Sequence, residues 1–264
     1  MYRLKNELSF WKTLVFINLS SNLEYRFNFI LQSSFMILNN FIYIIFWLIF
    51  FNSFQQINGW GMSDMYLLTS VVTTGYGLAM IFCGNAPNVA NIISMGKLDT
   101  YLLLPKNVFF HILFSKMSTK AIGDLIFGIS ILGLSGINDL SSICIWIVSV
   151  FFVSIIFVFF HALFGTLAFW IGKANLIQEQ SNSALLAFSL YPQTIFDKFG
   201  KLLMFTILPA GMVGMVPVEL IKSFNLTSFF LLVGFSIFIA LVCIFMFYRG
   251  LKKYESSNIF TFRN

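Results

Sequence analysis

His111 and His161 are the only two histidines in the chain, so imidazole chemistry is the first to weigh. They lie most of two apolar runs apart, with no HExxH pair and no GxSG nucleophile turn beside them. Neither a zinc hydrolase nor an acyl-transfer site can be built from such spacing. A lone histidine in an apolar run is more often a polar contact between helices than a catalyst. The three cysteines, Cys83, Cys144 and Cys243, fall in or at the ends of apolar runs and show no zinc-type pairing; disulfides are neither needed nor expected. Gly-Lys pairs occur at Gly96-Lys97, Gly172-Lys173 and Gly200-Lys201. A phosphate-cradling Walker loop needs a further glycine five positions upstream, where Asn91, Leu167 and Ile195 stand. No metal site, cofactor site or hydrolase is therefore expected in this chain.

The ionisable residues within apolar sequence say more. Lys116, Lys120 and Asp124 recur at four-residue intervals and would share one helix face. Lysines near a helix end can snorkel to headgroups, whereas Asp124 lies about two turns deeper and needs a partner. Two roles stay open for it: a pair with Lys120 or an interhelical hydrogen bond that secures packing, or a group facing a pathway or subunit interface. Gly75, Gly77 and Ala79, and Gly123 with Phe127 and Gly128, permit close helix approach.

The elements that carry these residues follow from composition. Of 264 residues, 58% are hydrophobic and 10% charged, and 35 are phenylalanine, far beyond the apolar share of a water-soluble domain. The solvent must be a bilayer, whose hydrocarbon core takes roughly 20 apolar residues per crossing. Such stretches run over about 29–51, 65–82, 108–134, 143–170 and 226–248. Between the fourth and the last, residues 180–224 are broken by Pro192, Pro209 and Pro217. A fifth crossing leading into re-entrant or interfacial half-helices is expected there, lining the working part of the molecule, because irregular backbone at membrane depth must face protein or water.

Charge sets the orientation. With the N-terminus in the cytoplasm, all of the 16 basic residues except Lys198, Lys201 and Lys222 fall on the inner side, and loops 52–64 and 135–142 carry none. This satisfies the positive-inside rule and accounts for the net charge of +6 without nucleic acid. The first residues, MYRLKNELSFWK, lack the compact apolar core of a cleaved signal, so none is expected. Residues 1–28 read as a helix lying in the headgroup plane. The expected fold is all-α and polytopic: one membrane domain over 1–264, six transmembrane helices, both ends cytoplasmic, and a tail over 249–264.

One polar break stands out. Residues 84–107 include GKLDTYLLLPKN, with apolar Val89, Ile92, Ile93, Met95, Leu98, Leu102 and Leu103 at helical spacing and Pro105 closing the run. A simple connection needs only a few residues, and this one is about five times longer. It reads either as a membrane-surface helix or as a docking element for a soluble partner.

The pattern Gly96-x-Leu98-Asp99-x-x-Leu102-x-x-Pro105 resembles the cytoplasmic loop of ABC-2 type permeases, the membrane subunits of ATP-binding-cassette exporters. Gly59-Trp60-Gly61, Gly123-Asp124, Phe169-Trp170, Asn175, Tyr191-Pro192 and the terminal Arg249-Gly250-Leu251-Lys252-Lys253-Tyr254-Glu255 resemble an uncharacterised six-span subfamily, in the same order along the chain. Lys97, where an acidic or polar residue is common, and Lys106 after the proline depart from the pattern.

The resemblance implies a coupling helix between the second and third spans, with Gly96, Lys97, Leu98, Asp99, Leu102 and Pro105 meeting a cytoplasmic ABC ATPase that binds ATP and magnesium. It also implies a second permease subunit, the same chain or a homologue. Tyr191, Pro192, Pro209 and Pro217 are then expected at an outer gate, Lys120 and Asp124 as intramembrane polar groups, and membrane lipid as the surroundings, in a bacterial inner membrane. An ATP-independent secondary transporter or a non-transporting scaffold is the alternative; the absence of an obvious inverted repeat weighs against the former.

Overall fold

The computed structural model describes residues 9–254, apart from residues 11, 15, 19, 22, 23 and 25. Among the described residues the chain is helical, with one isolated bridge between Ile57 and Trp60. The helices are α1 (Arg26–Ser53), α2 (Met62–Phe82), α3 (Val89–Ser94), α4 (Leu98–Leu102), α5 (Val108–Phe114), α6 (Lys120–Leu132) and α7 (Leu140–Thr166). They continue as α8 (Ala168–Ile171), α9 (Asn175–Ser189), α10 (Lys198–Thr206), α11 (Ala210–Val213), α12 (Met215–Lys222) and α13 (Leu226–Leu251). The expected interfacial helix over 1–28 and the tail over 249–264 lie partly outside the described residues. The described residues between 9 and 24 are helical, with Phe16 and Ile17 exposed.

Among the described residues, four stretches are long and apolar enough to cross a membrane: α1, α2, Leu140–Ile171 and α13. A fifth is reached if α10 and the Ala210–Lys222 stretch, bent by 76° at a short break, count as one. The count on length and composition is thus four to five, against the six expected. Two places account for the difference. The continuous third crossing expected over 108–134 is split: α5 ends at Phe114 and α6 begins at Lys120. The five residues between run against the end of α2, where Gly84 N–H donates to the Lys116 carbonyl at 2.9 Å and Ser118 N–H to the Met80 carbonyl at 3.0 Å. Backbone groups that would have closed a helix are taken by a neighbouring chain segment instead. Helix α9, with 15 residues, is short of a crossing and carries several amides.

Pro217 also departs from expectation. It is the third residue of α12, where a missing N–H costs nothing, so it sits inside a helix start and does not interrupt one. Pro192 and Pro209 do stand at breaks, before a 3₁₀ turn at Gln193–Ile195 and before α11. The start of α7 is fixed by Asp139, whose carboxylate accepts from Ser142 N–H at 2.8 Å and Ser141 Oγ at 2.6 Å. These bonds hold its carboxyl down at about 2.

Helix α2 is the buried axis, packed on α6, α7 and α1. Lipid tails are as apolar as leucine, so such helices are held by close packing and not by water exclusion. Glycine makes that possible. A Cβ on Gly77 would lie 2.8 Å from Leu125 N and 2.9 Å from the Ala121 carbonyl, and one on Gly128 would lie 2.5 Å from Thr73 Oγ1. Helix α1, by contrast, buries only Ser33, Asn40, Ile44 and Trp47.

Candidate coupling element and intramembrane polar groups

The long polar segment folds as two short helices, α3 and α4, joined at Gly96. Its φ of +70° is left-handed, a conformation side chains with a Cβ resist. Within α4, Leu98 is 0% exposed and anchors the helix, while the chain just beyond turns outward: Leu103 is 84% exposed, beside exposed Leu102, Leu104 and Pro105. Lys97 is exposed and Asp99 half-buried. The segment therefore has an inner fixed point and an outer apolar edge only a turn apart.

Several contacts stiffen it from behind. Tyr101 Oη meets Ser115 Oγ at 3.0 Å, and Asn85 Nδ2 donates to the same hydroxyl at 2.6 Å. The Tyr101 ring meets His111 edge-on at 4.9 Å, so that histidine is a packing group beneath α4. Lys106 lies 5.0 Å over the Phe10 ring, itself 5.2 Å from His111, and Asn18 Nδ2 donates to the Phe114 carbonyl at 3.0 Å; these tie the N-terminal segment to α5. Tyr248 Oη of α13 donates to Asn107 Oδ1 at 3.0 Å. Just past α13, burial raises the Tyr254 hydroxyl to about 12, and the Asp99 carboxylate beside it adds to the shift.

Gln178 of α9 carries no sequence signal, sitting in a polar-looking stretch, yet its hydrogen bonds tie this end together. It is buried, donates to the Ala86 carbonyl at 2.9 Å and the His161 carbonyl at 2.7 Å, and accepts from Ala90 N–H at 3.0 Å. One side chain thus joins the start of α3 to α7 and α9. Gly165 leaves room for it: a Cβ there would meet Gln178 Nε2 at 2.6 Å and Val89 at 2.6 Å.

Asp124 is buried in α6, and Asn40 Nδ2 of α1 donates to its Oδ1 at 2.8 Å. Of the two packing arrangements open from the sequence, the interhelical hydrogen bond is the one formed. Lys120 is exposed at the first residue of α6, and Lys116 lies in the break before it, so the expected one-face row of three does not form.

At the opposite end, Tyr191 packs edge-on to Trp47 at 6.0 Å and to Tyr43 at 6.5 Å, and Tyr43 Oη donates to the Leu190 carbonyl. Pro192 and Pro209 flank α10, and Lys222 at the end of α12 bridges to Asp64 at the start of α2, 2.7 Å apart. The four residues expected at an outer gate thus lie on the segments from the end of α9 to the start of α12.

No group of three or more histidine, cysteine, aspartate or glutamate side chains is placed to hold a metal among the described residues. No curated protein and no solved structure matches the chain. The family model described as "ABC-2 family transporter protein" does match, over residues 37–258. That span takes in the two-helix segment, the Asn40–Asp124 contact and the broken stretch around α10–α12 together, and the chain belongs to the ABC-2 family of transporter proteins.

Proposed function

We propose that the chain is the membrane-embedded permease subunit of an ATP-driven exporter, working as a dimer with a second permease and with a separate ATPase that binds ATP and magnesium. In this reading Gly96–Pro105 is the ATPase-coupling element, and both termini face the cytoplasm of a bacterial inner membrane. Helix α6 with the α5 break, and α9 with the bent α10–α12 stretch, complete the six crossings. The observation that carries it is the pairing of fully buried Leu98 with the exposed Leu102–Pro105 edge: an apolar edge held on a fixed point can transmit force. Closure of the ATPase pair would push on α4, and Gln178 would pass the displacement to α7 and α9. Asp124 would help hold α1 on α6 as they tilt, and Tyr191, Pro192, Pro209 and Pro217 would belong to the part that opens outward.

The test is co-purification from the native host to identify any ATPase subunit bound to the chain, followed by ATPase and transport assays in vesicles. Asp99→Lys and Leu102→Pro are expected to leave ATP hydrolysis running while transport falls at least about tenfold, the factor that corresponds to 1.4 kcal/mol of coupling. Normal coupling in both variants, or an assembly without an ATPase, overturns the proposal.

A further inference from the structure

A cavity of about 470 Å³ opens between α2, α7, α9 and the segment entering α3, within the roughly 300–1,000 Å³ usual for ligand sites. Its lining is out of keeping with so apolar a chain. Asn175, Gln178, Glu179, Asn182 and Ser183 recur at three- and four-residue intervals and form one face of α9. Asn88, Asn91 and Tyr76 line it as well.

His161 also lines this cavity. It is 1% exposed, and neither ring nitrogen meets a partner at good hydrogen-bond geometry, although the Asn182 backbone approaches the ring; Asn182 Oδ1 is likewise buried without a partner. Phe157 stacks on the imidazole at 5.8 Å and Tyr76 meets it edge-on at 6.0 Å, which orients the ring without satisfying it. Buried polar atoms without partners are costly, and something polar in the cavity relieves that cost.

The chemistry of the wall narrows what that is. A neutral imidazole presents one donor and one acceptor, each amide presents both, and the exposed Glu179 carboxylate accepts. A group that donates and accepts at once, without charge, matches them all: a hydroxyl. Positive charge lies elsewhere, in a second cavity of about 400 Å³ that shares Tyr76, Pro87 and Asn88 and adds Lys116 and Lys120. We infer that the His161 cavity binds an uncharged, hydroxyl-rich group, of the kind a sugar or polyol headgroup carries, on the molecule that the permease moves. That the bound molecule is the transported one rests on the permease reading; that the cavity binds it does not.

With two histidines in the chain, ¹⁵N-histidine labelling of the full-length protein in nanodiscs gives two ring environments, assigned by His111→Asn or by loss of signal in His161→Asn. Octyl glucoside, titrated below its micelle concentration, is expected to shift the His161 resonances saturably and leave His111 in place. Asn182→Leu is expected to weaken that response at least about tenfold, with an unchanged His111 signal reporting intact folding. Octyl sulfate and octyltrimethylammonium are the charged probes of equal tail length. A glucoside response that is absent, that rises without saturating, or that either charged probe equals overturns the proposal; in the first case water alone fills the cavity. Saturable binding in a chain that recruits no ATPase would remove the transport reading and leave this site standing.

Discussion

Asn40 of α1 donates to Asp124 of α6 across 2.8 Å, and this is the bond made by the one buried acid of α6, whose second oxygen, Oδ2, has no partner. Interhelical hydrogen bonds in membranes contribute modestly, about 0.6 kcal/mol on average and up to about 1.7. Asp124→Asn keeps an acceptor for Asn40, and its unfolding midpoint in detergent is expected within experimental error of the unaltered chain. Asn40→Ala leaves the acid unpaired and is expected to cost more, about 1–3 kcal/mol. A loss from Asp124→Asn as large as that from Asn40→Ala would show that the acid itself, and not only the hydrogen bond, matters at this site.

Leu98 and Leu103 separate packing from docking within a single turn. Leu98→Ala empties a fully buried site and is expected to destabilise the chain by about 2–5 kcal/mol. Leu103→Ser, at an exposed site, is expected to leave thermal stability unchanged while lowering ATPase recruitment, measured by pull-down of the paired subunit. If Leu103→Ser also lowered stability, or recruited the ATPase normally, the exposed edge would not be the contact.

The α2–α6 crossing has no room for a methyl group at Gly77, because the atoms a Cβ would strike are backbone and cannot rotate away. Gly77→Ala is expected to cost about 1–3 kcal/mol through helix separation. Gly234, which has open space around it, is the control, and alanine there is expected to be neutral or slightly stabilising. Unfolding of the two variants side by side checks both.

Asp64 does two jobs at the start of α2: it accepts from Gly61 N–H at 2.9 Å, capping the first turn, and it pairs with Lys222. Lys222 is 51% exposed, so Lys222→Ala is expected to cost under about 1 kcal/mol, and that loss should vanish at high salt. Asp64→Ala forfeits the cap as well and is expected to cost up to about 2 kcal/mol more, largely independent of salt. Salt-dependent melting curves distinguish the two contributions.

Composition and periodicity alone determined that this is an all-helical membrane protein, where its longest apolar helices run, and that the 84–107 break holds short amphipathic helices. Those features depend on local residue types: a run such as 226–248 has nowhere to go but hydrocarbon, and Gly96 and Pro105 punctuate a helix wherever they stand. Tertiary structure decided the rest. The third run reads as one apolar helix, and only the pairing of Gly84 and Ser118 with backbone across the gap shows why it breaks. Asp124 could have turned to Lys120 by spacing, but the orientation of α6 against α1 gives it Asn40. Gln178 looks like any amide in a polar stretch, and His161 like any buried ring, until α3, α7 and α9 are brought together around them. Partners for buried polar groups come from other helices, and a linear pattern cannot name them because their separation along the chain is unrelated to their separation in space.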